Sequence, residues 1–184
     1  MTTHIFLDTE TTGLGQFSQE RRKDQIIEIA FIWKQGDRYQ TIQEKCNPGI
    51  EYLKNADEAL RVQKRTLAEV ISFPPIEKVA SNVKNRIMKL TENEVEFHAW
   101  NIPFDKFFVE QEPWNLKLNW GEDPMVLASR DMGFNYDRIA LWKEVKHYTI
   151  QSQEILQGNV SGFHSALYDA YMAMLIYEKI KESD

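Results

Sequence analysis

The 184-residue sequence predicts an α/β or α+β sheet with helices packed on it, and three observations carry that expectation. Residues up to Pro48 hold three runs rich in apolar, β-branched and aromatic side chains. Beyond them, apolar residues recur at three- and four-residue spacing. One further strand-like run, Glu94 to Trp100, interrupts this helical part, so that strand and helix alternate. The length suits one well-buried core and is short for two, so residues 1–184 read as a single domain.

In chain order, His4 to Asp8 reads as a buried strand and "QIIEIAFIWK", Gln25 to Lys34, as a second. "QGD" turns the chain, and "RYQTIQEKCNP", ending at Pro48, alternates as the returning strand of a hairpin. "NADEALRVQKRTLAEV" and "PPIEKVASNVKNRIMKL" follow as helices, the second opening on prolines, which a helix accepts only in its first turn. After the strand "EVEFHAW", Asn101 can cap the helix "NIPFDKFFVEQ", with Pro103 in its first turn. "DPMVLASR" and "YDRIALWKEVKHY" read as two more helices, and Ser165 can cap the last, "ALYDAYMAMLIYEKIK".

A composition 42% apolar and 12% aromatic excludes a disordered or low-complexity chain. The single cysteine, Cys46, has no internal disulfide partner and reads as structural, in keeping with a reducing compartment. Met1-Thr2-Thr3-His4 leads straight into a strand without a basic region or cleavage site, and no apolar run reaches the ~18 residues of a membrane helix. A cytoplasmic protein without a membrane partner is expected. The net charge of −6 argues against a broad basic face that coats nucleic acid, but leaves small-footprint binding open.

In "FLDTETTGLG", residues 6–15, Asp8 and Glu10 lie two apart, so a continuing strand projects them side by side. Two adjacent anions are tolerated where a proton or a hard dication neutralises them; the plainer alternative is two solvated acids at a strand end. Asp105 falls in the first turn of a helix that follows a central strand, where an acid serves either a site or simply the helix dipole. In "GNVSGFHSALYDA", Gly158 and Gly162 loosen a loop, His164 ends it, and Asp169 enters the final helix. A mobile imidazole with an unperturbed pKa near 6.5 suits proton abstraction, whereas an exposed loop histidine is the ordinary reading. His4, His98 and His147 lie inside elements and are assigned no chemistry.

Together, "FLDTETTGL", "WNIPFD" and "HSALYDA" closely resemble, in order, the three motifs of the DEDDh 3′→5′ exonucleases, the DnaQ-like branch of the ribonuclease H-like superfamily. The resemblance spans nearly the whole chain and includes "DQIIEIA" as a second strand. It implies a ribonuclease H-like mixed five-stranded sheet, with strands 1–3 antiparallel and parallel additions, flanked by helices. It implies that Asp8, Glu10, Asp105 and Asp169 hold two divalent ions, Mg²⁺ or Mn²⁺, with His164 as general base in a two-metal hydrolysis that releases nucleoside 5′-monophosphates. The substrate implied is the 3′ end of single-stranded DNA or RNA.

Thr11, Thr12 and Gly13 would let a nucleotide approach the backbone, and Asn101 and Phe104 are further candidate contacts. Leu14 would wedge against the last base, unless it and Phe104 are ordinary core residues. The sequence departs from the family at Trp100, where histidine is common, and in a longer connection over Gly15 to Lys23. Within that connection Arg21, Arg22 and Lys23 are candidates to grip phosphates and Phe17 to stack on a base, against the alternative of a solvated loop. Two other functions compete: a catalytically silent binding module, and a polymerase proofreading subunit. The latter is less favoured because no long tail follows "KIKESD".

Overall fold

The computed structural model describes residues 2–17, 23–91, 94–133, 141 and 164–183. β1 (Thr3–Thr11), β2 (Ile26–Gln35) and β3 (Arg38–Lys45) form the expected antiparallel meander. β4 (Val95–His98) then pairs in parallel with the other edge of β1, so the sheet order is β3-β2-β1-β4.

Among the described residues the sheet has four strands rather than the expected five. The fifth position is held by a parallel bridge in which Phe97 N–H donates to Asn119 O (2.8 Å) and Gly121 N–H donates to Phe97 O (2.9 Å). It stays short because Asp123 and Pro124 start a helix immediately afterwards, and proline has no N–H for a ladder.

The helices are α1 (Ile50–Leu53), α2 (Asp57–Val62), α3 (Leu67–Ile71), α4 (Ile76–Leu90), α5 (Ile102–Val109), α6 (Pro124–Asp131) and α7 (Ala166–Ser183). The single helix expected over "NADEALRVQKRTLAEV" is broken in two. Lys64 takes a left-handed conformation (φ 54°), Arg65 N–H closes back on Leu60 O, and the Thr66 hydroxyl accepts from Glu69 N–H to cap α3. The helix expected over Tyr136 to Tyr148 lies outside the described residues except for Leu141.

Alternation along β1 and β2 gives the sheet two apolar faces. Ile5, Leu7, Ile29 and Phe31 pack under α4, whose buried Ile76, Val79, Ala80, Val83 and Ile87 follow helical spacing, and under Phe108 and Val109 of α5. Phe6, Ala30 and Ile32 pack under α7 through Ala166, Ala170, Tyr171, Met174 and Ile176. Each such branched side chain removed from water contributes about 1.5–3 kcal/mol. Cys46 is buried and its thiol donates to Ile26 O. No described helix is long and apolar enough to cross a membrane.

Candidate active site

The site forms where the C-terminal half of β1 meets the starts of α5 and α7. Asp8 pairs in register with Ala30 and Glu10 with Glu28, so both acids share the Phe6 face, beneath α7. A register shift between Glu10 and Thr11 then turns the strand away. α7 carries Asp169 in its first turn. Asp105 sits in the first turn of α5, which β4 delivers to the same end of the sheet through its parallel pairing with β1.

Side chains not singled out from the sequence hold this geometry. The Thr9 hydroxyl, on the opposite face of β1, donates to Asp105 Oδ1 at 2.8 Å and ties α5 to the strand. Asn101 stands at the start of α5 in a left-handed conformation (φ 69°), but its side chain makes no capping bond. The cap comes from Asp123, whose carboxylate accepts from Asn101 N–H (3.1 Å), Ile102 N–H (2.8 Å) and Met125 N–H (2.9 Å), joining the starts of α5 and α6. The "DP" pair was the available signal for a cap on α6; its reach back to α5 had none.

Asp24 fixes the turn after β1. It accepts from the Thr12 hydroxyl (3.2 Å) and from Gly15 N–H (2.9 Å). A Cβ on Gly13 would lie 2.6 Å from its Oδ1, so glycine is required there by the close approach of that carboxylate. Thr11 and Thr12 are buried, the Thr11 hydroxyl donating to Gly13 O and its carbonyl accepting from Gln63.

All four acids have raised pKa values, and for Asp8 and Glu10 the other acids contribute to the rise. Burial, the largest cause, lifts Asp8 well above the carboxylate range, and Asp105, Asp169, Glu10 and Glu28 add repulsion. Burial followed by Asp169 and Glu28 pushes Glu10 to about 8, with Arg65 partly opposing. Burial raises Asp105 to about 7 against the hydrogen bond from Thr9, and raises Asp169 to about 7 against the bond from His164 N–H. Among the described residues no lysine or arginine forms a salt bridge with any of the four.

His164 is exposed and left-handed (φ 69°), and its backbone N–H donates to Asp169 Oδ2 at 3.1 Å. One ring nitrogen of His164 and one carboxylate oxygen each of Glu10 and Asp169 lie within 4.8 Å of one another. Asp8 and Asp105 adjoin this trio without belonging to it. Asp169 Oδ1 is buried with no hydrogen-bond partner, an orphaned acceptor. Crowded oxygen donors without a salt-bridge partner among the described residues, one of them with an unused lone pair, fit a hard dication.

Beside the acids opens a cleft of about 390 Å³ lined by Glu10, Thr11, Thr12, Leu14, Gln63 and Phe104, among others. Leu14 is 58% exposed, so it is not a core residue. Phe104 lines the cleft while packing on the core, and Phe17 lies against Phe104 and Phe107 at 5.8 and 5.9 Å. Trp100 packs in the α7 cluster. Lys23 is exposed; Arg21, Arg22, Gly158 and Gly162 lie outside the described residues.

The fold is similar to that of three solved structures. One is Exonuclease X in complex with 5′ overhanging duplex DNA (22% identity, 98% of this chain and 92% of that one, TM-score 0.66). Another is a 3′-exonuclease solved in specific recognition of the 3′ end of a histone mRNA stem-loop (14%, 98% and 82%, TM-score 0.71). The third is Pop2p of S. pombe in its Mg²⁺- and Mn²⁺-bound form (12%, 97% and 82%, TM-score 0.62). No curated protein matches the chain by sequence. The profile of one family, Exonuclease (RNase_T), matches residues 5–177, which takes in all three motifs and both faces of the sheet; the chain belongs to the RNase_T exonuclease family.

Proposed function

We propose that the chain is a single exonuclease domain that removes nucleotides from the 3′ end of a single-stranded nucleic acid by divalent-metal-assisted hydrolysis. The observation that carries this reading is the convergence of Asp8, Glu10, Asp105 and Asp169, from three separate segments, with no salt bridge to any of them among the described residues. Two ions of the magnesium or manganese class, held by these four carboxylates, would supply charge compensation for the phosphodiester and lower the pKa of the attacking water.

The residues of the chain do the rest. His164, whose ring reaches Glu10 and Asp169, accepts the proton of the attacking water. Thr9 orients the Asp105 carboxylate. Leu14, exposed at the cleft, and Phe104 hold the terminal base; Thr11, Thr12 and Gly13 shape the wall along which its backbone passes; and Asn101 lies at the start of α5 for a further contact. The duplex DNA bound by one structural neighbour and the mRNA stem-loop recognised by another support a nucleic-acid substrate and span both sugars. Pop2p, with its bound Mg²⁺ and Mn²⁺, supports the metal class.

The test is a 5′-labelled single strand, offered as matched DNA and RNA, with Mg²⁺ or Mn²⁺. A ladder shortening from the 3′ end is expected, and His164→Ala lowers turnover by about 10² to 10⁴ while leaving Mn²⁺ bound. A full-length strand under every metal condition would favour a silent binding module instead.

A further inference from the structure

β1 and α7 also meet at their other ends, and there the side chains are different. β1 and β4 pair His4 with Glu96 and Phe6 with His98, and residues two apart on a strand share a face, so Glu96 and His98 both project beside His4. One donor atom from each of His4, Glu96 and His98 lies within 4.8 Å of the others. Along β1 this cluster is four residues from Asp8, about 13 Å at ~3.3 Å per residue. Both groups lie beneath α7: Asp169 stands over the acids, while the Tyr177 ring, two turns later, lies 5.7 Å from His4 and 4.8 Å from His98.

His98 is built as a ligand rather than left as filler. Its Nδ1 is 2.8 Å from the Glu122 carbonyl, which can only accept, so the proton sits on Nδ1 and Nε2 presents a lone pair. That Nε2 points at His4 Nδ1, 2.9 Å away, and His4 Nδ1 is 3.7 Å from Glu96 Oε2. Donors in a tetrahedral zinc site, with bonds of about 2.0–2.1 Å, stand roughly 3.3–3.4 Å apart, so the two separations to His4 lie within a few tenths of an ångström of those an ion requires. The carbonyl bond to the far nitrogen is the support that orients ligating histidines.

Packing fixes the rest. The buried His98 ring stacks on Phe6 at 4.8 Å, and Gly121 lets the outer backbone lie against it: a Cβ there would be 2.4 Å from His98 Cε1 and 3.0 Å from Glu96 Oε2. His4 and Glu96 side chains are 41% and 40% exposed, leaving a path for an ion and a coordination position for water. Two imidazoles and one carboxylate suit a borderline dication, not Mg²⁺.

We propose that His4, Glu96 and His98 form a second metal site, for a dication of the zinc class, that staples β1 to β4 at the end of the sheet remote from the carboxylate cluster. The site is independent of the nuclease reading.

Its test uses protein stripped with chelator and carrying Asp8→Asn and Asp169→Asn, which disable the carboxylate site. Calorimetric titration should give one Zn²⁺ per chain, Zn²⁺ should raise the melting temperature, and Co²⁺ should give the visible absorption of a four-coordinate ion with nitrogen ligands. Adding His4→Gln or, separately, Glu96→Gln, both at half-exposed positions, should weaken Zn²⁺ at least about 10-fold and bleach the Co²⁺ band. Circular dichroism in chelator should be unchanged, which separates lost ligation from lost folding. Absence of Zn²⁺ uptake, or uptake indifferent to both substitutions, overturns the proposal.

Discussion

Glu10 and Glu28 face each other across β1 and β2, yet their surroundings are opposite. Glu28 is fully buried and answered: Arg65 forms an ion pair with it and Gln43 Nε2 donates to it at 2.7 Å. Glu10 is also largely withdrawn from water, but its neighbours are Asp169, Glu28 and the other acids, and Arg65 is already committed. A fold can bury a carboxylate by giving it a partner, or it can leave the partner to arrive from outside. The first arrangement holds a structure; the second stores unfavourable charge that a dication can release.

The sharpest way to break this contrast is to neutralise one acid on the unanswered side. Asp169→Asn should reduce exonuclease turnover by about 10³-fold or more, yet raise the melting temperature in chelator, because a repelled charge is removed from the folded state. Nuclease assay and thermal unfolding of one preparation check both halves; a variant that is less stable without metal would place Asp169 with Glu28 instead. The complementary change, Arg65→Ala, strands Glu28. It should cost about 3–5 kcal/mol in urea unfolding, given that the two side chains are 7% and 0% exposed.

A third expectation follows from the sign of the shifts. Glu10 is raised to about 8 and Asp105 and Asp169 to about 7, above unfolded values of about 3.9 to 4.3. The stability these groups contribute is complete below the unfolded values and is lost as pH rises through the folded ones. In chelator the melting temperature should therefore fall between about pH 5 and 8, and Mn²⁺ should flatten the fall. A profile without slope in chelator would mean that neither burial nor repulsion raises these acids in the folded state. The smallest effect belongs to Thr9→Val, which frees Asp105 from its hydrogen bond; a turnover loss on the order of 10-fold is expected, about 1.4 kcal/mol.

The sequence made the unanswered acids visible and hid the answered one. Asp8, Glu10, Asp105, His164 and Asp169 sit in short motifs at element ends, where local spacing is informative, and β1, β2, α4 and α7 follow the periodicity that local backbone geometry imposes. Glu28 lies in an apolar run and its partner Arg65 is 37 residues away, so nothing local links them. The same distance problem hid Asp123 capping α5 from 21 and 22 residues away, and His98 meeting His4 across 94. The break between α2 and α3 escaped because apolar spacing continues through Lys64 and Arg65, while the turn itself accompanies the inward reach of Arg65 to Glu28, a tertiary demand. The fifth strand was expected from resemblance and reduced to a bridge by the helix start at Asp123 and Pro124.

Anomalous diffraction from a crystal soaked in Mn²⁺ tests the central claim most directly. Manganese peaks at ligand distance from Asp8, Glu10, Asp105 and Asp169, vanishing in Asp8→Asn with Asp169→Asn, are the result this account requires. Carboxylates that remain empty at saturating Mn²⁺, or that pair with a lysine or arginine of the chain, would contradict it.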